Sequence, residues 1–147
     1  MRFHVCALPH TQTTKDYLSC AYTAKTINFC RMMKDRGHTV FLYGGEQNEA
    51  PCDEHVVCVT EAERAAHVGA GHFTAASFDY GLPFWTNANA RMAAEIGRRA
   101  QREDFVCVIG GMAQKAIADA LPNLQTVEFG VGYGGTFTKR RVFESYA

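Results

Sequence analysis

Four things are missing from this 147-residue chain, and each absence removes a class of function. There is no C-x-x-C pair among Cys6, Cys20, Cys30, Cys52, Cys58 and Cys107, so neither a zinc ribbon nor a dithiol redox motif has a basis. There is no apolar run near the ~20 residues that cross a bilayer, so no transmembrane segment is expected. There is no excess of charge: fifteen basic residues face fifteen acidic ones. A protein built chiefly to hold nucleic acid or an anionic membrane would be strongly basic. There is no glycine in the turn Pro9 to Lys15, where a dinucleotide-binding fold needs its glycines, and this argues against a nicotinamide-linked oxidoreductase.

Smaller absences point the same way. The opening Met1 to Pro9 lacks the long apolar core of a signal peptide, so a soluble cytoplasmic protein is expected, with its first strand at the N-terminus. The cysteines sit in apolar runs or helical patterns and read as small buried hydrophobes in a reducing compartment. No histidine accompanies any of them at a recognisable spacing, which disfavours a catalytic thiol. His67 and His72 lack a third ligand at useful spacing, so no metal site is expected. The chain shows no repeat, linker or low-complexity stretch.

What is present is an alternation of short apolar runs and amphipathic segments. Strands are expected over Phe3–Leu8, His38–Tyr43, His55–Thr60, Phe105–Ile109 and Leu124–Phe129, the last being the final strand. Helices are expected over Tyr17–Arg36, Glu61–Val68, Trp85–Arg102 and Ala113–Leu121. Leu18, Tyr22, Phe29, Cys30 and Met33 form the apolar face of the first helix. Trp85, Ala88, Met92, Ile96 and Ala100 form that of the third. Gly69 to Pro83, rich in glycine and aromatics, reads as an irregular loop. The pattern is α/β: one domain over 1–147, a Rossmann-like, mostly parallel sheet with helices on both faces.

In a parallel sheet, three candidate segments fall on one carboxyl edge and converge on one crevice. They are Pro9–Thr13, Gly110–Lys115 and Glu128–Gly135. The Gly110-Gly111 turn opens a helix, and free N–H groups there, with Gln114 and Lys115, would suit a phosphate or a sugar hydroxyl. It equally reads as a tight strand-to-helix turn beside a solvated lysine, and it lacks P-loop spacing. Gly130-x-Gly132-x-x-Gly135 matches a dinucleotide fingerprint by letter but follows the last strand, so a ligand-facing loop is expected instead. Glu128, ending a buried strand, is the carboxylate best placed for general-base work; the alternative is a carboxylate that leaves the sheet for water or an arginine. His10 is the best-placed imidazole; the alternative is a surface loop histidine. Lys139-Arg140-Arg141 fits a solvated edge better than a phosphate contact.

Taken together, the phrases R-F-H-V-x-A-L-P-H-T-Q-T-T-K, A-Y-T-x-K, Gly37-His38-x-Val40-x-Leu42-Tyr43-Gly44 and V-E-F-G-V-G-Y-G-G…R-V-F-E-S-Y-A carry a likeness. They resemble the N-terminal domain of GT-B type glycosyltransferases, above all uncharacterised ones of phage and environmental genomes, over essentially the whole chain. The resemblance implies an acceptor-binding half whose partner, a second Rossmann-like domain holding the nucleotide-sugar donor, is absent from these 147 residues. The amphipathic segment 141–147 stops without a cap, which agrees with that expectation. The implied activity moves a sugar from a nucleotide-sugar to a hydroxyl acceptor, with Glu128 or His10 as base. Thr11, Gln12, Thr13, Gly110, Gly111, Gln114, Lys115, Gly130 and Gly132 would bind acceptor or phosphate. Neither metal nor cofactor is implied, and nucleic acid is expected only as a modified acceptor. A non-catalytic α/β module binding a nucleotide or sugar is the alternative.

Overall fold

The computed structural model describes residues 1–143. Its strands are β1 (Arg2–Cys6), β2 (Thr39–Gly44), β3 (Glu54–Val57), β4 (Phe105–Val108), β5 (Gln125–Val131) and β6 (Arg140–Phe143). Its α-helices are α1 (Ala21–Asp35), α2 (Glu61–Val68), α3 (Pro83–Arg99) and α4 (Lys115–Ala120). The strands form one sheet in the order β3-β2-β1-β4-β5-β6, with every neighbouring pair parallel. This is the expected Rossmann-like α/β fold. No helix among the described residues is long and apolar enough to cross a membrane.

Side-chain alternation along the strands feeds two cores. Phe3, Val5, Val40, Leu42 and Phe129 pack with Ile27, Phe29 and Cys30 of α1 on one face. Cys6, Phe41, Tyr43, Val106 and Val108 pack with Met92 and Ile96 of α3 and Ile117 of α4 on the other. The sheet grows in opposite directions from β1 and from β4. A right-handed crossover therefore puts α1 on one face and α3 and α4 on the other.

Most element boundaries shift for local reasons. α1 starts at Ala21 because residues 15–17 form a 3-10 turn, and Leu18, expected on the apolar face, is exposed. α2 spans Glu61–Val68 as expected, closed at its start by a reciprocal Thr60–Glu63 capping box. α3 begins earlier than expected because Pro83 fits the first helical turn, where its missing N–H is no loss. A 3-10 turn over Gly111–Gln114 precedes α4.

The sheet does not end at residue 129, as the sequence pattern had it. A sixth strand follows at Arg140–Phe143, exposed along its length, so Lys139-Arg140-Arg141 lies at an edge. The rest of the expected segment, 144–147, lies outside the described residues. The strand was hidden because parallel neighbours normally need a crossover of about a dozen residues or more, usually helical. Residues 132–139 make the connection without a helix.

Glu128 replaces what a helix would provide. Its side chain is fully buried, and Oε2 accepts hydrogen bonds from Phe137 N (3.0 Å), Thr138 N (2.9 Å) and Thr138 Oγ1 (2.9 Å). Phe137 then packs on the α3/α4 core. A bulge at Gly130, where φ is +62°, bends β5 into this connection.

At the amino edge of the sheet, a second buried polar group organises the start of β1. His4 accepts from the Tyr43 hydroxyl at Nδ1 (2.7 Å) and donates from Nε2 to Asp104 Oδ2 (2.8 Å), while Arg2 Nε also donates to Asp104 (3.1 Å). Burial lowers the pKa of His4, so its imidazole is neutral.

Glu128→Leu should leave the loop donors buried and unpaired, at a cost of about 2–4 kcal/mol. Urea unfolding measures that loss, and amide exchange should show β6 losing protection before the other strands. Wild-type stability with unchanged exchange at Val142 and Phe143 would contradict the assignment.

Candidate functional site

The chain leaves β1 and β4 toward opposite sides of the sheet. Between these neighbours lies the switch point, where open α/β sheets form their ligand crevice. Two cavities open there. One, of about 230 Å³, lies between the turn at Gly110–Ala113 and the loop at Tyr133–Gly135. The other, of about 250 Å³, lies beside Leu8 and His10. Tyr22 and Phe78 line both, so the two form one cleft. Its walls are aromatic, with Tyr80 and Tyr133 added on the β4 side, and its floor there is glycine backbone. The three expected segments do converge on it.

Most of the polar side chains expected to face a ligand instead hold the protein together. Gln114 is completely buried: Oε1 accepts from Ile109 N (3.0 Å) and Gly110 N (2.8 Å), and Nε2 donates to Ala7 O (3.1 Å). It straps the ends of β1 and β4 together. Gln12 accepts from Gln47 N (3.0 Å) and donates to Glu61 Oε2 (2.7 Å), and any side chain at Gly45 would collide with it. Thr11 bonds the Thr23 hydroxyl (2.7 Å), and Thr13 donates to Asn48 Oδ1 (2.6 Å).

The N–H groups expected to be free at the Gly110-Gly111 turn are not. Gly110 N is held by Gln114, and the Tyr133 ring lies against Gly111 with its hydroxyl toward that backbone N–H. Gly111, at φ +57°, has no room for a Cβ beneath the ring. Lys115, expected to reach a phosphate, pairs with Asp119 one turn on (2.7 Å), on the exposed side of α4. Glu128 does not line the cleft. Tyr133 stands between them, its hydroxyl 3.5 Å from Glu128 Oε1 and its pKa pushed up to about 12, first by burial and then by that carboxylate. Gly130 accepts from Lys25 Nζ at its carbonyl (3.3 Å), and Gly132 is exposed outside both cavities.

His10 is the exception. It is not a surface histidine: 7% of it is exposed. Phe78 meets its ring edge-on at 5.5 Å, and Trp85 lies 5.8 Å away. Its Nδ1 has no protein partner. Burial, with smaller contributions from His67 and Arg64, lowers its pKa to about 4. Trp85 Nε1 and Asn89 Oδ1, both on α3, are also buried without partners.

Three residues that shape the cleft lie outside the expected segments: Tyr22, expected on the apolar face of the first helix, and Phe78 and Tyr80, expected in an irregular loop. The available signal was aromatic residues in loops that the topology carries to the carboxyl edge. Among the described residues no cluster of three or more His, Cys, Asp or Glu side chains could hold a metal ion. His67 stacks on Phe84 (4.0 Å), and His72 bonds the Thr74 hydroxyl (2.8 Å). No protein family, curated protein or solved structure matches the chain.

His4 and His10 are neutral when folded and regain an ordinary pKa near 6.5 when unfolded. The unfolded chain therefore binds more protons below that value, and stability should fall as pH drops from about 6.5 toward 4. The His10 share is on the order of 3 kcal/mol at the acid end. Denaturant midpoints at pH 7, 6, 5 and 4 measure it; a flat profile would contradict the buried, neutral imidazoles.

Proposed function

We propose that this chain is the acceptor-binding part of a glycosyltransferase, and that the cleft at the switch point seats the hydroxyl acceptor of a transfer from a nucleotide-sugar. The observation carrying this reading is the lining of the cleft. Aromatic faces at Tyr22, Phe78, Tyr80 and Tyr133 surround a glycine floor, which suits the flat apolar face of a sugar-like ring. The motif likeness at both ends of the chain adds to it. So does the cleft mouth, where Phe78, Tyr80 and Met112 are each close to half exposed. Apolar side chains gathered there suit a surface that another domain or a ligand covers.

His10 is the base in this reading. The acceptor oxygen bonds to the anomeric carbon as the bond from that carbon to the nucleoside diphosphate breaks. The hydroxyl proton passes to the imidazole, and the diphosphate leaves with the bonding pair. With a pKa near 4, His10 alone is a weak base. The diphosphate of an arriving donor is an anion that would raise it.

One observation favours a second reading, a non-catalytic nucleotide- or sugar-binding module. Glu128 and Lys115, the charged groups first expected to act on a ligand, are engaged elsewhere.

Calorimetric titration of the chain with alkyl glycosides, nucleoside diphosphates and nucleotide-sugars separates the two. The acceptor reading expects glycoside binding, with nucleotides binding weakly or not at all. Tight nucleotide binding would favour the module, and binding of none of the three would defeat both.

A further inference from the structure

We infer that the cleft selects an uncharged, hydroxyl-bearing ring over a sugar acid, a sugar phosphate or a nucleotide, and that His10 is the polar side chain that recognises it. This deepens the acceptor reading and rests on it.

The first ground is electrostatic. No charged side chain among the described residues lines either cavity. The charges near its edges already have partners: Lys115 has Asp119, Arg64 has both oxygens of Glu61 (2.8 and 2.5 Å), and Lys25 donates to Gly130 O (3.3 Å) while lying over the Tyr22 ring. Of the backbone donors at the β4 turn, Ile109 N and Gly110 N are taken by Gln114 and Gly111 N is faced by Tyr133. An anion entering here would lose its hydration with no cationic side chain in the lining to replace it, a cost that a neutral ring does not carry.

The second ground is the partnerless atom. A buried nitrogen without a hydrogen bond lowers stability, and native proteins retain few of them. His10 lines the cleft, but Nδ1 itself is shielded from solvent, so a bound molecule meets it once the imidazole turns toward the cavity. A neutral imidazole presents Nδ1 either as acceptor or as N–H donor, according to tautomer. A hydroxyl satisfies both states because it donates and accepts. A carboxylate or a fully ionised phosphate only accepts, and so serves one tautomer. The orphan atom therefore calls for a hydroxyl, and the missing charge disfavours those hydroxyl-bearing rings that also carry an anion.

The test uses methyl glucopyranoside, its uronic acid counterpart and glucose 6-phosphate as probes at pH 7.5. Saturation-transfer NMR follows them, together with the emission of Trp85, the chain's one tryptophan, 4.8 Å from Phe78. The neutral glycoside should bind at least about tenfold more tightly than either anion. His10→Phe keeps a ring in place and should weaken glycoside binding about tenfold, with the melting temperature unchanged or raised because the orphan atom is gone. Tyr22→Ala removes a cleft wall without touching His10 and should weaken glycoside binding too. Equal or tighter binding of the acid or the phosphate overturns this inference while leaving the acceptor reading standing. An unchanged affinity in His10→Phe, or a lowered melting temperature, removes His10 as the recognising side chain. No binding of any probe overturns both.

Discussion

The structure depends on satisfying backbone groups where parallel strands end. Within the sheet each strand serves its neighbours, but at the carboxyl edge the chain departs and the last N–H and C=O groups lose their ladder. The problem is sharpest between β1 and β4, whose following segments diverge. Gln114 solves it with one carboxamide, receiving two N–H groups from the end of β4 and donating to a carbonyl beyond β1. Gln12 does the same between the loops after β1 and β2, and Glu128 does it between β5 and the connection to β6. Three buried polar side chains thus link neighbouring parts of one edge.

The cleft follows from this bracing. Because the edge is held by side chains rather than by a covering helix, the space at the switch point stays open. Aromatic rings from α1, the loop before α3 and the loop after β5 enter it. A site on braced strand ends keeps its geometry better than one on a free loop. Of the four unpaired buried side-chain atoms among the described residues, on His10, Thr14, Trp85 and Asn89, only the one on His10 belongs to a side chain that lines the cleft.

The fold was legible where hydrophobic period and burial agree. β1, β2 and β4 are apolar runs because both their faces are covered, and α2 carries its own start signal in Thr60 and Glu63. β6 was not legible: Arg140-Arg141-Val142-Phe143 has no buried pattern, and the connection before it is too short to signal a parallel partner. The site was legible only in position. Topology alone puts the segments at 10–13, 110–115 and 128–135 on one edge. Sequence cannot tell whether a polar side chain there turns outward to a ligand or inward to the backbone, since both roles favour the same residue types. Thr11, Gln12, Thr13 and Gln114 turned inward, and His10 Nδ1 is left without a hydrogen bond.

The strand order also sets a timetable for synthesis. β1 is made first yet lies at the centre of the sheet, between β2 and β4. β2 follows closely, but β4 begins only at residue 105. At about 5–20 residues per second, one side of β1 waits several seconds for its partner while the chain emerges. During that interval a flat, apolar strand edge faces the cell with its hydrogen bonds unmade, the form most open to pairing with the wrong strand. The window of greatest danger for this molecule is therefore fixed by the speed of the ribosome, before the braces at Gln114 and Glu128 exist.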